Sequence, residues 1–533
     1  MSAWLARALA FVIALLVLLP VAVVLFRAGS PAGAPAGEAW AAIVENRLWG
    51  HVWQTGLLVG CVVVVALLLG VPTAWVVSVY DFPGRNGMKW LLLLPVAMPG
   101  FVAAVAYVDV LGGLVPFYIW VRKEWGIEAF LKVQVVMPWV FAVGVLGATL
   151  YPYVFLSCRA LFAKQAAGEL EAARLLGCGS AGVFLKVALP MARPALVAGG
   201  SLVVMEAMND YGVVSAFGLT PLTPGIFRAW GEGEVAVAMR LAVFLLLFLA
   251  IVLAVERWQR GRRLFEASGA EGLLARRKLR FGKGLVALGI CLVPLGIGFL
   301  VPGWRLVRWA WDTRGSAEIA GHLAAGWNSF SLAAGAAVLV SLAALLLVAG
   351  HRVLKSRGIL VAQKIGLMGY GFPSALVAVG VGAVVVWVSQ NFPWASGLAL
   401  SASVSGLMFA YFVRYLAVGI QPVAAGFERV PSALREAART LGEKPLGALL
   451  RVDLPLVRPA VIAGATLCFI DVFKELTLTL VLRPFDFETL ATRTYRLTDE
   501  GRMAEAALPG LGLVLLCLAG LIPLTIWMKG SEE

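Results

Sequence analysis

Charge and metal-binding side chains are scarce in this 533-residue chain. Only 14% of its residues are charged, against about 25% in an ordinary soluble domain. The three histidines, His51, His322 and His351, show no H-E-x-x-H or similar spacing, so no built-in zinc or haem site is expected. The six cysteines (Cys61, Cys158, Cys178, Cys291, Cys468 and Cys517) form no C-x-x-C. They read as small apolar residues in or near a membrane rather than as a disulfide or metal framework. A G-x-x-x-x-G-K-[ST] loop is absent, so the chain has no phosphate cradle of its own. Nucleophile elbows and His-based dyads are missing too, and an enzyme reading has little to stand on.

What is present is apolar. Hydrophobic residues make up 61% of the chain, and a water-soluble fold of that composition could not cover its surface with polar groups. A membrane-crossing helix needs about 20 apolar residues, because in lipid only hydrogen bonds within the segment can satisfy the backbone. Twelve stretches qualify: 8–26, 55–79, 90–112, 134–157, 194–217 and 236–255, then 284–302, 327–350, 365–388, 397–419, 459–481 and 504–527. The first follows Arg7 and precedes the small-residue run Ala28 to Gly37, the arrangement of a cleaved signal peptide. Its apolar run is nevertheless long enough to span, and an even helix count keeps both termini on one side.

Orientation follows from where Lys and Arg collect. Glu256 to Lys283 carries nine of them (Arg257, Arg260, Arg262, Arg263, Arg276, Arg277, Lys278, Arg280 and Lys283) against three acids. That makes it a cytoplasmic linker, and both termini are then cytoplasmic. Nucleic-acid binding is not expected, since no aromatic platform accompanies the run. The loops Gly112–Lys132 and Arg483–Arg502 fall on the outer side yet hold several Arg and Lys balanced by Glu124, Glu128, Asp486 and Glu488, as loops meeting a soluble partner would.

The chain repeats itself. Residues 171–199 (EAARLLGCGSAGVFLKVALPMARPALVAG) and 436–464 (EAARTLGEKPLGALLRVDLPLVRPAVIAG) are identical at 16 of 29 positions with an offset of 265, half the chain length. The expected division is therefore a six-helix domain at 1–255, the linker at 256–283 and a second six-helix domain at 284–533. The repeated segment is too charged to span. It reads as a short helix ending at Gly177 in a left-handed cap, then a second helix capped by Ser180 and stopping before Pro190; Gly442, Pro445 and Pro455 take the same places in the second copy. Ala172, Ala173, Ala437 and Ala438 leave a low surface that lets a partner approach, while Glu171 and Glu436 offer a directional bond to Arg. A pair of amphipathic helices lying on the bilayer would not need the same order twice.

The order EAA, Gly at the sixth residue after Glu, then Leu-Pro twelve to thirteen residues on, resembles permease subunits of ATP-binding cassette (ABC) importers. The resemblance covers nearly the whole chain as a fusion of two six-span units. It implies an all-α polytopic membrane protein of the type I importer permease fold, in a bacterial inner membrane. It further implies two copies of an ATPase subunit docked on the EAA loops, an external substrate-binding protein, and ATP used by the partner with no cofactor or metal bound here. The stretches at 206–218, 223–230, 471–476 and 482–493 are similar to fused ferric iron permeases. Thr477, Asn209 and Tyr211 depart from that pattern, so thiamine, sulfate and spermidine relatives remain alternative cargoes.

Charged groups in mid-bilayer normally face a cavity, a partner or a path. Glu206 and Asp210 recur at the same offset as Asp471 and Glu475, each pair on one helix face. They are candidates for lining or gating a pathway, with Lys474 balancing charge; bonding a neighbouring helix end is the structural alternative. Pro95, Pro99 and Pro373 are expected to kink spans. The rival class is a secondary transporter of two parallel six-helix halves driven through these acids. It would have no ATPase for the EAA loops to engage.

Overall fold

The computed structural model describes residues 3–30, 34–164, 167–260, 276–315, 318–392 and 404–530. Linker residues 261–275 and the start of the tenth expected span, 397–403, lie outside them. The described chain is all-α apart from one parallel pair of two-residue strands, Tyr80–Asp81 with Arg277–Lys278. Ten helices are long and apolar enough to cross a membrane, and two further helix pairs, each bent at a break, bring the number up to twelve.

The breaks have local causes. In the third span Arg85–Ala97 and Gly100–Gly112 meet at 86°, because a residue before proline is driven out of the helical region. Met98 before Pro99 is extended (ψ 104°), and Phe372 before Pro373 likewise (ψ 132°). These prolines therefore start new helices, Gly100–Gly112 and Ser374–Asn391, rather than kinking continuous ones. The fifth spans are shorter than expected: Arg193–Asn209 and Leu454–Phe473 stop at the acids, and short helices Gly212–Ala216 and Thr477–Leu482 follow.

Two details of the repeat need correction. Ser180 begins its helix but accepts no capping bond, Gly179 being the cap residue. The helix also does not stop before Pro190. It widens into a π-turn at Val183–Ala188, and helix Leu189–Met191 carries Pro190 in its first turn. The wider turn makes room for a ring that would otherwise clash with the carbonyl one turn back. The second copy has the same device, a π-turn at Leu449–Asp453 ahead of Pro455. The real break follows at 67°, between Ser180–Met191 and Arg193–Asn209.

The first helix of each half crosses to the other half. Helix Ala3–Gly29 lies along Arg357–Met368 and Ser374–Asn391. Gly380 permits this, since a Cβ there would fall 2.6 Å from the Pro20 carbonyl oxygen. In return the span Phe281–Asp312 packs on Gly100–Gly112, with Tyr107 donating to the Ile297 carbonyl (2.8 Å) and Asp109 paired to Arg305. The two crossings clasp the halves into one bundle. The strand pair beside the linker lies near the first repeat, where Trp75 packs on both Tyr80 and Phe184.

Candidate functional site

At the repeat end, helices Ala167–Leu175 and Ser432–Thr440 finish in matching caps. Gly177 (φ 83°) and Gly442 (φ 87°) take the left-handed conformation, and the next amides, Cys178 and Glu443, donate back to the Ala173 and Ala438 carbonyls at 3.1 and 3.0 Å. Glu171, Ala172, Glu436 and Ala437 are exposed, whereas Ala173 and Ala438 are buried. The structure adds Leu176 and Leu441, both 85% exposed at equivalent positions on a polar surface. Their signal was available as a matched leucine inside the repeat. The copies differ beyond the cap: Glu443 is paired to Arg451, where the first copy has Cys178 and Lys186.

Midway along the bundle the two fifth spans end facing each other across a cavity of about 120 Å³, lined among others by Tyr153, Glu206, Asp210, Arg414, Lys474 and Glu475. The expected acids are brought together, each with a defined partner. Asp210 turns back to accept the Val213 amide (2.7 Å), and Glu475 accepts the Leu478 amide (3.0 Å), so each caps the short helix that follows its span. Glu475 also accepts from Tyr415 (2.6 Å). Glu206 accepts the Tyr370 hydroxyl of the other half at 2.7 Å, and Lys474 lies 2.9 Å from Asp471. Among the described residues, no three His, Cys, Asp or Glu side chains converge to hold a metal ion.

Further bonds join the halves at this level. Asn209 accepts the Ser374 amide (2.9 Å), and its own carbonyl takes a long bond from Thr477 (3.4 Å). Arg414, 3% exposed, donates to the Phe372 carbonyl freed by Pro373 and lies between the rings of Tyr370 and Tyr415. Sequence reasoning passed over Arg414, though an arginine inside the 397–419 span was a usable signal. Tyr211 lines both this cavity and a wider one of about 430 Å³ toward the opposite end of the bundle. Its hydroxyl is 3.2 Å from that of Tyr495, which also meets Ser215 at 3.0 Å. A polar seam thus crosses an apolar bundle where two broken helices meet, and every bond between the halves must open if they part.

A duplicated bundle of spans with paired loops at one end and a polar seam at its centre is the architecture of a multi-pass membrane transport subunit. The chain belongs to the family of binding-protein-dependent transport system inner membrane components, which it matches twice, over residues 63–262 and 342–532. It is 24% identical over 471 residues to an Fe(3+)-transport system permease protein, FbpB 2, of Haemophilus influenzae, covering 87% of each chain. It is 30% identical over 164 residues to the sulfate transport system permease protein CysW of Escherichia coli, covering 31% of this chain and 54% of that one. To the putative 2-aminoethylphosphonate transport system permease protein PhnV of Salmonella typhimurium it is 28% identical over 156 residues, 29% and 57% of the two chains. The last two alignments take in little more than half of each relative. Family membership carries with it an ATPase and a substrate-binding protein as partners.

Proposed function

We propose that the chain is the membrane permease subunit of an ATP-driven importer of ferric iron, with 1–255 and 284–533 as its two permease domains and 256–283 as a cytoplasmic linker. Similarity along 87% of both chains to an Fe(3+) permease carries this reading. The central layer agrees in sign: four carboxylates (Glu206, Asp210, Asp471, Glu475) face two cations (Arg414, Lys474), a field that favours a cationic cargo over an oxyanion. Sulfate is the second reading, resting on the local similarity to CysW.

In this mechanism two copies of the ATPase grip the repeats, Glu171 to Pro190 and Glu436 to Pro455, with Leu176 and Leu441 as apolar knobs. Closure of the ATPase pair on ATP moves the repeats together and opens the opposite, external end; hydrolysis returns the bundle inward. Nucleotide acts only through the partner, by binding one state of the bundle better than the other. The seam of Glu206–Tyr370, Asn209–Ser374 and Tyr211–Tyr495 bonds is the gate, and the four acids with Lys474 line the path behind it. Both termini are then cytoplasmic and the membrane is the bacterial inner membrane.

Co-expression with the ATPase encoded beside this gene tests the coupling: pulldown and stimulated ATP hydrolysis should survive in the wild type and fail in Glu171→Ala with Glu436→Ala. Unchanged assembly and hydrolysis in that double variant would move a gradient-driven carrier to first place. Uptake of radiolabelled ferric iron against sulfate in proteoliposomes then decides the cargo.

A further inference from the structure

The end of the bundle opposite the repeats carries a small basic pocket in the first half. It holds about 50 Å³ and is lined by Arg47, His51, Thr220, Gly225, Arg228 and Glu232, among others. That volume fits a group of a few heavy atoms, a water's share of the liquid being about 30 Å³. Its walls are built. His51 Nδ1 donates to the Thr220 carbonyl (2.5 Å), Gln54 accepts the Thr220 amide (3.1 Å), and Thr55 accepts the Leu222 amide (2.9 Å). Gly225 faces the His51 ring across the pocket, and a Cβ there would rest against it at 3.6 Å. Neither the Arg47 nor the Arg228 guanidinium makes an ion pair or hydrogen bond with a described residue, and Glu232 is the acid on the rim.

The same place in the second half is filled and neutral. Alignment through the left-handed glycines Gly233 and Gly501 sets Arg493 opposite Gly225, Arg496 opposite Arg228 and Glu500 opposite Glu232. Arg493 reaches into the position that is open in the first half and bonds His322 Nδ1 (2.9 Å), Glu488 (2.9 Å) and Glu318 (2.6 Å). Glu488 also binds Arg496 (2.6 Å), which is held in turn by Glu500 (2.8 Å). Glu488 belongs to three residues, 486–488, with no counterpart before Pro221, and Thr55 and Ser329, which accept the equivalent Leu222 and Leu490 amides, set Val44 opposite Glu318. The second half therefore satisfies its arginines internally. In the first half Glu232 keeps its place, but the counterparts of Glu488 and Glu318 are missing.

We propose that this pocket receives a carboxylate side chain of the soluble protein that delivers cargo, seated between Arg47 and Arg228. The assignment rests on reading this end of the bundle as the external face of a binding-protein-dependent importer. Two guanidiniums give a carboxylate bidentate partners, and their excess over the one rim acid, Glu232, steers an acidic surface toward the first half. Docking is then asymmetric on a pseudo-symmetric bundle, which fixes the orientation of a partner that has no twofold axis of its own.

The test is binding of the cargo-loaded soluble protein encoded with this gene to the chain, assembled with its ATPase in nanodiscs of zwitterionic lipid. Arg47→Glu and Arg228→Glu should each weaken binding by roughly tenfold or more and flatten its salt dependence, while Arg502→Glu, an equal charge change in the second half, should not. Reversing one acid of the partner to Arg should restore affinity in Arg228→Glu, which no folding defect could mimic. Equal affinity in all variants would overturn the assignment alone, and absence of binding to the wild type would overturn the importer reading with it. A difference between wild type and variants seen only when anionic lipid is added would reassign the pocket to a headgroup.

Discussion

The two halves agree wherever the backbone must turn and disagree where charge is placed. Both start their third-span helix at a proline, both widen into a π-turn before the repeat proline, and both end the fifth span with an acid that caps the next helix. Around the caps the partners diverge. Asn209 bonds the Ser374 amide, while its counterpart Lys474 neutralises Asp471, and Gly225 leaves a hole where Arg493 fills one. Helix breaks answer to local sterics that are the same in each copy. A single path and a single external partner need only one set of charges, so those positions are free to differ.

The comparison breaks most visibly at the repeats, if their equivalence is only apparent. Glu171→Ala and Glu436→Ala should each lower cargo uptake by about tenfold, the effect of removing about 1.4 kcal/mol of docking energy, and together they should abolish it. A large effect from one copy and none from the other would show that a single loop couples. At the opposite end the halves should separate sharply in stability. Arg493→Ala removes a buried guanidinium and its charge-assisted bonds to Glu488 and His322, leaving Glu488 to Arg496, at a cost of about 2 kcal/mol, whereas Arg228→Ala should shift denaturant unfolding by less than about 0.5 kcal/mol. Equal shifts would mean that the first half has an internal partner for its arginine.

The acid caps allow a finer cut. Asp210→Ala removes the Val213 acceptor and should cost about 1 kcal/mol. Asp210→Asn and Glu475→Gln keep an acceptor oxygen, so they should unfold like the wild type yet transport poorly if the charges line the path. Normal uptake by both amides would leave the acids as caps alone. The smallest expected effect is on acid stability. Burial would raise the Glu488 carboxyl, but hydrogen bonds and charge from Arg496 and Arg493 outweigh it and hold the group below its ordinary value. Its stabilisation is therefore present above the unfolded value, about 4.3, and is lost as pH falls through the lower folded value. Glu488→Gln should flatten unfolding midpoints across that acidic window, and a wild type already flat there would refute the ion network.

Much of the membrane topology was legible because lipid leaves one solution for a backbone: a run of apolar residues long enough to cross is a helix. The repeat was legible as well, and its Gly177 and Gly442 caps formed as their residue types require. Span ends at the acids were not, because apolar residues resume beyond Asp210 and Glu475 while the backbone stops there to let each carboxylate cap a new helix. Pro190 misled for a related reason: a π-turn, which no residue pattern announces, lets the helix run through it.

By itself the sequence determined the class of solvent, the duplication, the repeated segments with their glycine caps and the presence of buried charge, all set by composition or by spacing along one chain. Only the tertiary structure decided that each half lends its first helix to the other, that Arg414 sits between Tyr370 and Tyr415, and that one basic pocket stays open while its twin is filled. Each of these joins residues tens to hundreds of positions apart, and which of them meet depends on helix packing, where a single glycine or a three-residue insertion changes the outcome.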